Sequence, residues 1–84
     1  MDYQLTEHAR ESLRKRPSIR VEWLERVLLQ PERVETDRTD PELEHRLGRI
    51  PEAEGRVLRV IIRKASHPIR VITCYFDRKM RRQL

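Results

Sequence analysis

The sequence is poor in residues on which several classes of protein depend. Its 84 residues include one cysteine, Cys74, which excludes an internal disulfide and fits a reducing compartment. The only glycines, Gly48 and Gly55, open no helix in a G-x-G or G-K-[ST] context, which argues against a loop that binds nucleoside triphosphates. One tryptophan, two tyrosines and one phenylalanine are too few for the repeated aromatics of a single-strand stacking platform.

Long apolar runs are also missing. The longest, Val71 to Phe76 with Thr73 inside it, is far shorter than the roughly 18 to 20 residues of a membrane-spanning helix. No apolar stretch follows Met1-Asp2, so we expect no signal peptide, a cytoplasmic location and no membrane partner. A chain of this length buries only about 60 to 65% of its unfolded surface. We therefore predict one domain over residues 1–84, and a large enzyme with a deep enclosed pocket is excluded.

Positive charge is concentrated in the last third of the chain. Residues 1–55 hold 10 Lys and Arg against 13 Asp and Glu, whereas residues 56–84 hold 9 against Asp77 alone, a net charge of +8. Positive charge at this density attracts phosphate, which predicts RNA or the ribosome as the partner. The alternative is solvated charge that keeps the protein soluble, together with an acidic protein partner.

Two short helices are predicted in the first part of the chain. Thr6 precedes strong helix formers from Glu7 to Arg16, and Pro17 follows them. A second helix is expected from about Arg20 to Gln30, because its apolar residues recur at helical spacing: Val21, Leu24, Val27 and Leu28.

Beyond Pro31 the apolar period changes to that of strands. The clearest strand is Arg56 to Lys64, where Leu58, Val60 and Ile62 share one face. The other expectations are an extended stretch at Val34, a polar loop at Thr36–Pro41, a possible strand at His45–Ile50, a hairpin loop at Pro51–Gly55, a strand at Ile69–Phe76 and a basic tail at residues 77–84. The predicted fold is α+β, with two N-terminal helices packed on a small three- to four-stranded antiparallel sheet.

Both faces of the last predicted strand are largely apolar. One face would lie under the helices. The other needs a cover as well, because an open apolar sheet face is prone to association. Three alternatives could cover this face: the tail through Met80 and Leu84, a second subunit in a homodimer, or a partner protein.

No metal or cofactor is expected. His8, His45, His67 and Cys74 show no short-range pairing such as C-x2-C or H-x3-H. Cys74 alternates with apolar residues, which is typical of buried packing rather than of a nucleophile. RNA chemistry with cationic side chains and without metal remains.

Cleavage of RNA in this way needs a base for the 2′-hydroxyl proton, cations for the charged phosphate and an acid for the leaving oxygen. Tyr75 and His67 are the available proton carriers, although a core aromatic and a turn residue are the alternatives. His8, in the first turn of the first helix, either packs and caps or belongs to a site. The cations are either solvated or functional, and they are Arg59, Arg63, Arg70, Arg78 and Lys79.

The chain resembles the domain of unknown function 4258 over about residues 3 to 78. Five segments carry the resemblance: Leu5–Ala9, Ile19–Glu22, Leu28–Val34, Arg56–Val60 and Val71–Tyr75. That family is similar to the RelE/ParE-like and BrnT-like toxins, which implies a RelE/ParE-like fold and RNA cleavage by strand-borne basic residues and a C-terminal tyrosine or arginine. ParE-like members act on gyrase instead, so the superfamily does not fix an activity.

The resemblance also implies the site. His8 corresponds to the helix-start histidine, and Arg59, Arg70 and Tyr75 to the basic and aromatic positions of the last strands. BrnT-like chains have an arginine near the end of the last strand, where this chain has Cys74-Tyr75. The nucleic-acid-binding candidates are Arg63, Lys64, His67, Arg78, Lys79, Arg81 and Arg82.

The sequence therefore predicts a toxin-like small basic protein, a metal-independent endoribonuclease that acts on RNA at the ribosome and has a protein antitoxin as a partner. The alternative from another class is a non-catalytic module that binds nucleic acid or protein through the same sheet. A homodimeric structural subunit is the third alternative.

Overall fold

A computed structural model describes residues 2–84 as two helices and a five-stranded sheet. Two short 3-10 turns follow β3 and β5, at Pro51–Ala53 and Arg78–Met80. The elements in chain order are β1 (Tyr3–Leu5), α1 (Glu7–Lys15), α2 (Val21–Leu29), β2 (Arg33–Thr36), β3 (Leu43–Ile50), β4 (Arg56–Arg63) and β5 (Ile69–Phe76).

The predicted fold of two N-terminal helices on a three- to four-stranded antiparallel sheet, RelE/ParE-like, is wrong. A strand, β1, precedes the helices, and the strand order is β1-β5-β4-β3-β2. β1 lies parallel to β5, with Tyr3 opposite Ile69, so the sheet is mixed. The two helices lie between β1 and β2 in the chain. Three residues are too few to show a strand period in the sequence, and the strand that pairs with β1 lies more than 60 residues away.

The helices begin and end close to the expected residues. Thr6 caps α1, since its Oγ1 accepts a hydrogen bond from the backbone N–H of Ala9 at 3.1 Å. Arg20 precedes α2 in an extended conformation and makes no side-chain cap. Each helix has nine residues, and within residues 2–84 none is long and apolar enough to cross a bilayer.

The main core lies between the helices and one face of the sheet. Leu24 and Leu28 of α2 pack with Leu58, Val60 and Ile62 of β4, all at most 1% exposed. α2 approaches β3 closely at Gly48. A Cβ at this position would lie 3.0 Å from Val27 Cγ2, so glycine is the residue that fits there. Cys74 belongs to the same core, where burial raises the pKa of its thiol to about 11.

The opposite face of the sheet is covered only at one end. Met80 is buried there against Leu47 and Val57, with Leu84 beside them. The tail therefore supplies one of the three covers that the sequence left open. The rest of this face, which we name the open face, carries the polar side chains of His45, Arg59 and Tyr75 together with the half-buried Ile61. A homodimer stays a prediction.

Candidate functional site

A groove of about 480 Å³ on the open face collects polar side chains from the middle strands. Arg59 on β4 is the register partner of Tyr75 on β5 and of Leu47 on β3. His45 lies two residues before Leu47 and is the partner of Glu35 on β2, so these side chains share one face. The residues that line this open-face groove are Glu35, Thr36, Asp37, Arg38, Thr39, His45, Arg59, Tyr75, Asp77 and Lys79.

Arg59 lies at the centre of the open-face groove, with a side chain only 10% exposed. Its Nε donates to Asp77 Oδ2 at 2.8 Å. Its Nη1 donates to Glu35 Oε1 at 3.2 Å and to His45 Nδ1 at 2.7 Å. Burying a guanidinium is unfavourable unless the charge is paired and its hydrogen bonds are made. Two carboxylates and an imidazole meet that requirement, so these N–H groups of Arg59 are directed at protein acceptors.

The hydrogen bonds of His45 fix its tautomer. A guanidinium has no acceptor atom, so Nδ1 of His45 accepts the hydrogen bond from Arg59. The ring proton is therefore on Nε2, which lies 2.6 Å from Asp37 Oδ1 and donates to it. Both ring nitrogens are engaged, and the side chain is 14% exposed. His45 consequently orients Arg59 rather than offering a free nitrogen to a ligand.

Asp37 anchors the loop after β2 to this network. The hydrogen bond from His45, then the backbone N–H groups of Asp40 and Thr39 and the Thr39 hydroxyl, hold the pKa of Asp37 well below its usual range. The loop donors all bind Asp37 Oδ2, at 3.0 to 3.2 Å. The carboxylate therefore stays ionised at neutral pH, and the loop and β3 are held together.

Asp77 and Lys79 reach the groove because the chain turns directly after β5. The backbone N–H of Asp77 donates to the Val57 carbonyl at 2.8 Å, and Asp77 Oδ1 accepts from the Lys79 N–H at 3.0 Å. This turn aims the Asp77 carboxylate at Arg59. The exposed Lys79 and the half-buried Tyr75 also line the groove.

The structure separates the predicted catalytic residues. Arg59 and Tyr75 meet in the groove, whereas Arg70 is exposed at the other end of β5, opposite Arg63. His8 is exposed on α1, which packs on the opposite face of the sheet. His8 is therefore not brought together with Arg59.

The predicted nucleic-acid-binding residues fall at the two ends of the sheet. Around the β4–β5 turn, Arg63 lies 3.4 Å from Glu42 Oε2, and His67 is exposed beside β1. Lys64 is exposed in the same turn. At the opposite end a 3-10 turn follows β5. The exposed residues there are Arg78, Lys79, Arg81 and Arg82.

Sequence reasoning missed the acidic half of the groove. Glu35, Asp37 and His45 lie in a stretch whose sequence predicts an extended segment, a polar loop and a strand. The spacing of Asp37 and Thr39 is typical of an Asx turn, and this was the available signal for an anchored loop. Nothing in the spacing indicates that Asp77 pairs with Arg59, because that contact depends on the turn after β5.

Within residues 2–84, no three His, Cys, Asp or Glu side chains lie close enough together to hold a metal ion.

A protein-family model matches most of the sequence. The model of an uncharacterised domain, the domain of unknown function DUF4258, matches residues 5–76. The chain belongs to the DUF4258 family. The resemblance expected over about residues 3 to 78 is thereby confirmed at the level of that family.

The DUF4258 match covers most of the open-face groove but not all of it. It includes Glu35, His45, Arg59 and Tyr75 and ends one residue before Asp77. No protein of curated function and no solved structure matches this DUF4258 chain.

Proposed function

We propose that this DUF4258 chain is a toxin-like endoribonuclease that cleaves RNA without a metal ion, at the open-face groove. The observation that carries the proposal is the convergence of Tyr75, Lys79 and a carboxylate-braced Arg59 in one groove of a polar sheet face. The RNA substrate at the ribosome, a protein antitoxin, a cytoplasmic location and the wider kinship with RelE/ParE-like and BrnT-like toxins are parts of the same proposal.

The proposed reaction is an internal transfer at phosphorus. The 2′-oxygen of one nucleotide forms a bond to the adjacent phosphorus, the bond from phosphorus to the 5′-oxygen breaks, and a 2′,3′-cyclic phosphate and a 5′-hydroxyl result. A base must accept the 2′-hydroxyl proton, and an acid must give a proton to the 5′-oxygen.

The choice of residues for these roles is supported by their exposure in the groove. Of the carboxylates around the Arg59 network, Glu35 is the most exposed, at 34% against 15% for Asp77 and 21% for Asp37. Glu35 accepts the 2′-hydroxyl proton in this proposal, and the Tyr75 hydroxyl donates to the 5′-oxygen. The exposed ammonium of Lys79 stabilises the charge on the phosphate. Arg59 is a positioning residue, since its donors hold Glu35 and Asp77.

A second candidate function is a non-catalytic module that binds nucleic acid or protein. Both His45 nitrogens and the Arg59 donors already make hydrogen bonds within the protein. This favours the binding module, because a pre-formed network leaves fewer groups free for chemistry. Cleavage products separate the two candidates.

The experiment is primer extension on mRNA in a reconstituted translation reaction, with a parallel reaction on free RNA in EDTA. The test variant is Tyr75→Phe, which removes one hydroxyl and keeps the ring. We expect new RNA ends with the wild-type protein and at least a roughly 100-fold slower reaction with Tyr75→Phe, the size typical of a lost proton-transfer group. The control is Tyr3→Phe, whose hydroxyl donates to Glu25 at 2.9 Å on another part of the molecule, and it should cut like the wild type.

An unchanged rate in Tyr75→Phe would remove Tyr75 from the reaction. The absence of cuts by the wild-type protein in both settings would overturn the ribonuclease and leave the binding module.

A further inference from the structure

A second hollow lies next to the open-face groove, at the end of the sheet where β4 begins and β5 ends. Its volume is about 360 Å³, within the range of small-molecule sites. Asp77 lines both this hollow and the open-face groove, so the two are neighbours. The residues that define this arginine cleft are Arg56, Val57, Phe76, Asp77, Arg78 and Arg81.

No carboxylate of residues 2–84 forms an ion pair with the arginines of the cleft. Arg56 Nε donates to the Ala53 carbonyl at 3.1 Å, and Arg81 Nη2 donates to the Glu54 carbonyl at 2.8 Å. These acceptors orient the side chains without neutralising their charge. None of the ion pairs formed within residues 2–84 includes Arg56, Arg78 or Arg81. The cleft therefore presents three guanidinium charges that an anion can neutralise.

The Asp77 carboxylate in the cleft wall does not neutralise these arginines. Asp77 Oδ2 lies 2.8 Å from both Nε and Nη2 of Arg59, and its Oδ1 accepts from the Lys79 N–H. Its charge is thus committed to the buried Arg59 on the open face. An anion in the cleft meets the arginines and not a free carboxylate.

The wall of the cleft also contains a cation–π contact. The guanidinium carbon of Arg56 lies 4.1 Å from the centre of the Phe76 ring. Phe76 in turn contacts Trp23, with ring centres 6.3 Å apart and planes at 57°. Arg56 is half-buried, and a guanidinium that covers a ring on one side can offer its other side to a second π system. RNA-binding proteins use guanidinium planes in this way to stack unpaired bases.

We propose that the arginine cleft binds one nucleotide of an RNA strand, with the phosphate between Arg78 and Arg81 and the base stacked on Arg56. This inference rests on the proposed function, because it gives the groove a subsite for the nucleotide next to the cleaved bond. An acidic peptide would satisfy the charge but not the stack, so the cleft favours a nucleotide.

The test is a titration of ¹⁵N-labelled protein with adenosine 5′-monophosphate, followed by NMR. Ribose 5-phosphate, which lacks a base, and tetraglutamate are titrated in parallel. We expect the mononucleotide to shift signals of residues 56–57 and 76–81 and to bind more tightly than both other ligands. Arg78→Ala should raise its Kd about tenfold.

Arg82→Ala is the matched control, since it removes the same charge from an exposed residue outside the cleft wall. It should change the Kd less than about twofold. In Arg56→Ala the mononucleotide should bind no better than ribose 5-phosphate, because the stacking plane is gone.

Equal losses in Arg78→Ala and Arg82→Ala would overturn the site in favour of diffuse charge. Equal binding of ribose 5-phosphate and the mononucleotide by the wild type would overturn base stacking, and tighter binding of tetraglutamate would assign the cleft to a protein partner. A mononucleotide has no internucleotide bond, so this binding is independent of cleavage. Tyr75→Phe should bind it like the wild type, which separates failure of the cleft from failure of the ribonuclease.

Discussion

The two faces of β4 are buried by different kinds of contact. Leu58 and Val60 are fully buried beneath the helices. Arg59 lies between them and is 9% exposed as a whole residue, and its side chain contacts carboxylates and an imidazole on the open face. Apolar burial depends on fit and area. Burial of a charge depends on each partner being present and ionised. At Leu58–Val60 the helix-covered face of the strand thus supplies stability, and the open face supplies an arrangement of charges fixed by mutual contacts.

The largest loss of stability is expected from truncating a side chain on the helix-covered face. Leu58→Ala should lower the free energy of unfolding by about 4 kcal/mol, because it removes apolar contacts and leaves a cavity in a closely packed core. Urea unfolding measures the change. An exposed apolar residue gives the control: Leu29, 69% exposed, should cost less than about 1 kcal/mol on truncation to Ala. Equal costs at both positions would contradict the assignment of the core.

A smaller effect, with a different signature, is expected on the open face. Arg59→Met should cost about 2 kcal/mol, less than the usual penalty for breaking a buried pair because Glu35 can be hydrated again. Adding Asp77→Asn should recover part of this cost, since the carboxylate left without its partner is then removed. A double-mutant cycle in urea measures the coupling. Strict additivity would mean that the Arg59–Asp77 pair does not stabilise the fold.

The smallest expected effect is the pH dependence of the stability that Asp37 contributes. The pKa of Asp37 is lower in the folded protein than in the unfolded chain, so its contribution to stability is present above about pH 4 and is lost as the pH falls further. The difference in unfolding free energy between wild type and Asp37→Asn should therefore shrink between pH 7 and pH 2.5.

Urea unfolding at three pH values measures this difference. Asp2→Asn, at an exposed carboxylate outside the groove, is the control and should follow the wild type at every pH. A difference that stays constant with pH in Asp37→Asn would show that the charge of Asp37 does not stabilise the fold.

Local signals in the sequence predicted several elements of the fold. Thr6 and Pro17 mark the ends of α1, and the alternation after Arg56 marks β4, because caps and periodicity act over a few residues. β1 was missed, and with it the parallel pairing and the five-stranded sheet. Its pairing with β5 is a contact between distant parts of the chain, which a local pattern does not record.

The candidate site divides in the same way. The excess of positive charge in residues 56–84 indicated Arg59, and Tyr75 was predicted as a proton carrier, but the partners of Arg59 come from other parts of the chain. Glu35 and His45 join it through the β2–β3 and β3–β4 registers, and Asp77 joins it through the turn after β5. A shift of one residue in either register would move these side chains to the other face. The composition therefore predicted a basic surface but not the acidic network within it.

The parallel pairing of β1 with β5 also bears on how the protein is synthesised. The first strand emerges from the ribosome long before the strand that it pairs with, so the sheet is incomplete until β5 has emerged. Arg59 then lacks Asp77 until that residue has also left the exit tunnel. The complete open-face groove therefore forms only after β5 and Asp77 have left the exit tunnel, and a nascent chain that ends before Asp77 holds Arg59 without this carboxylate.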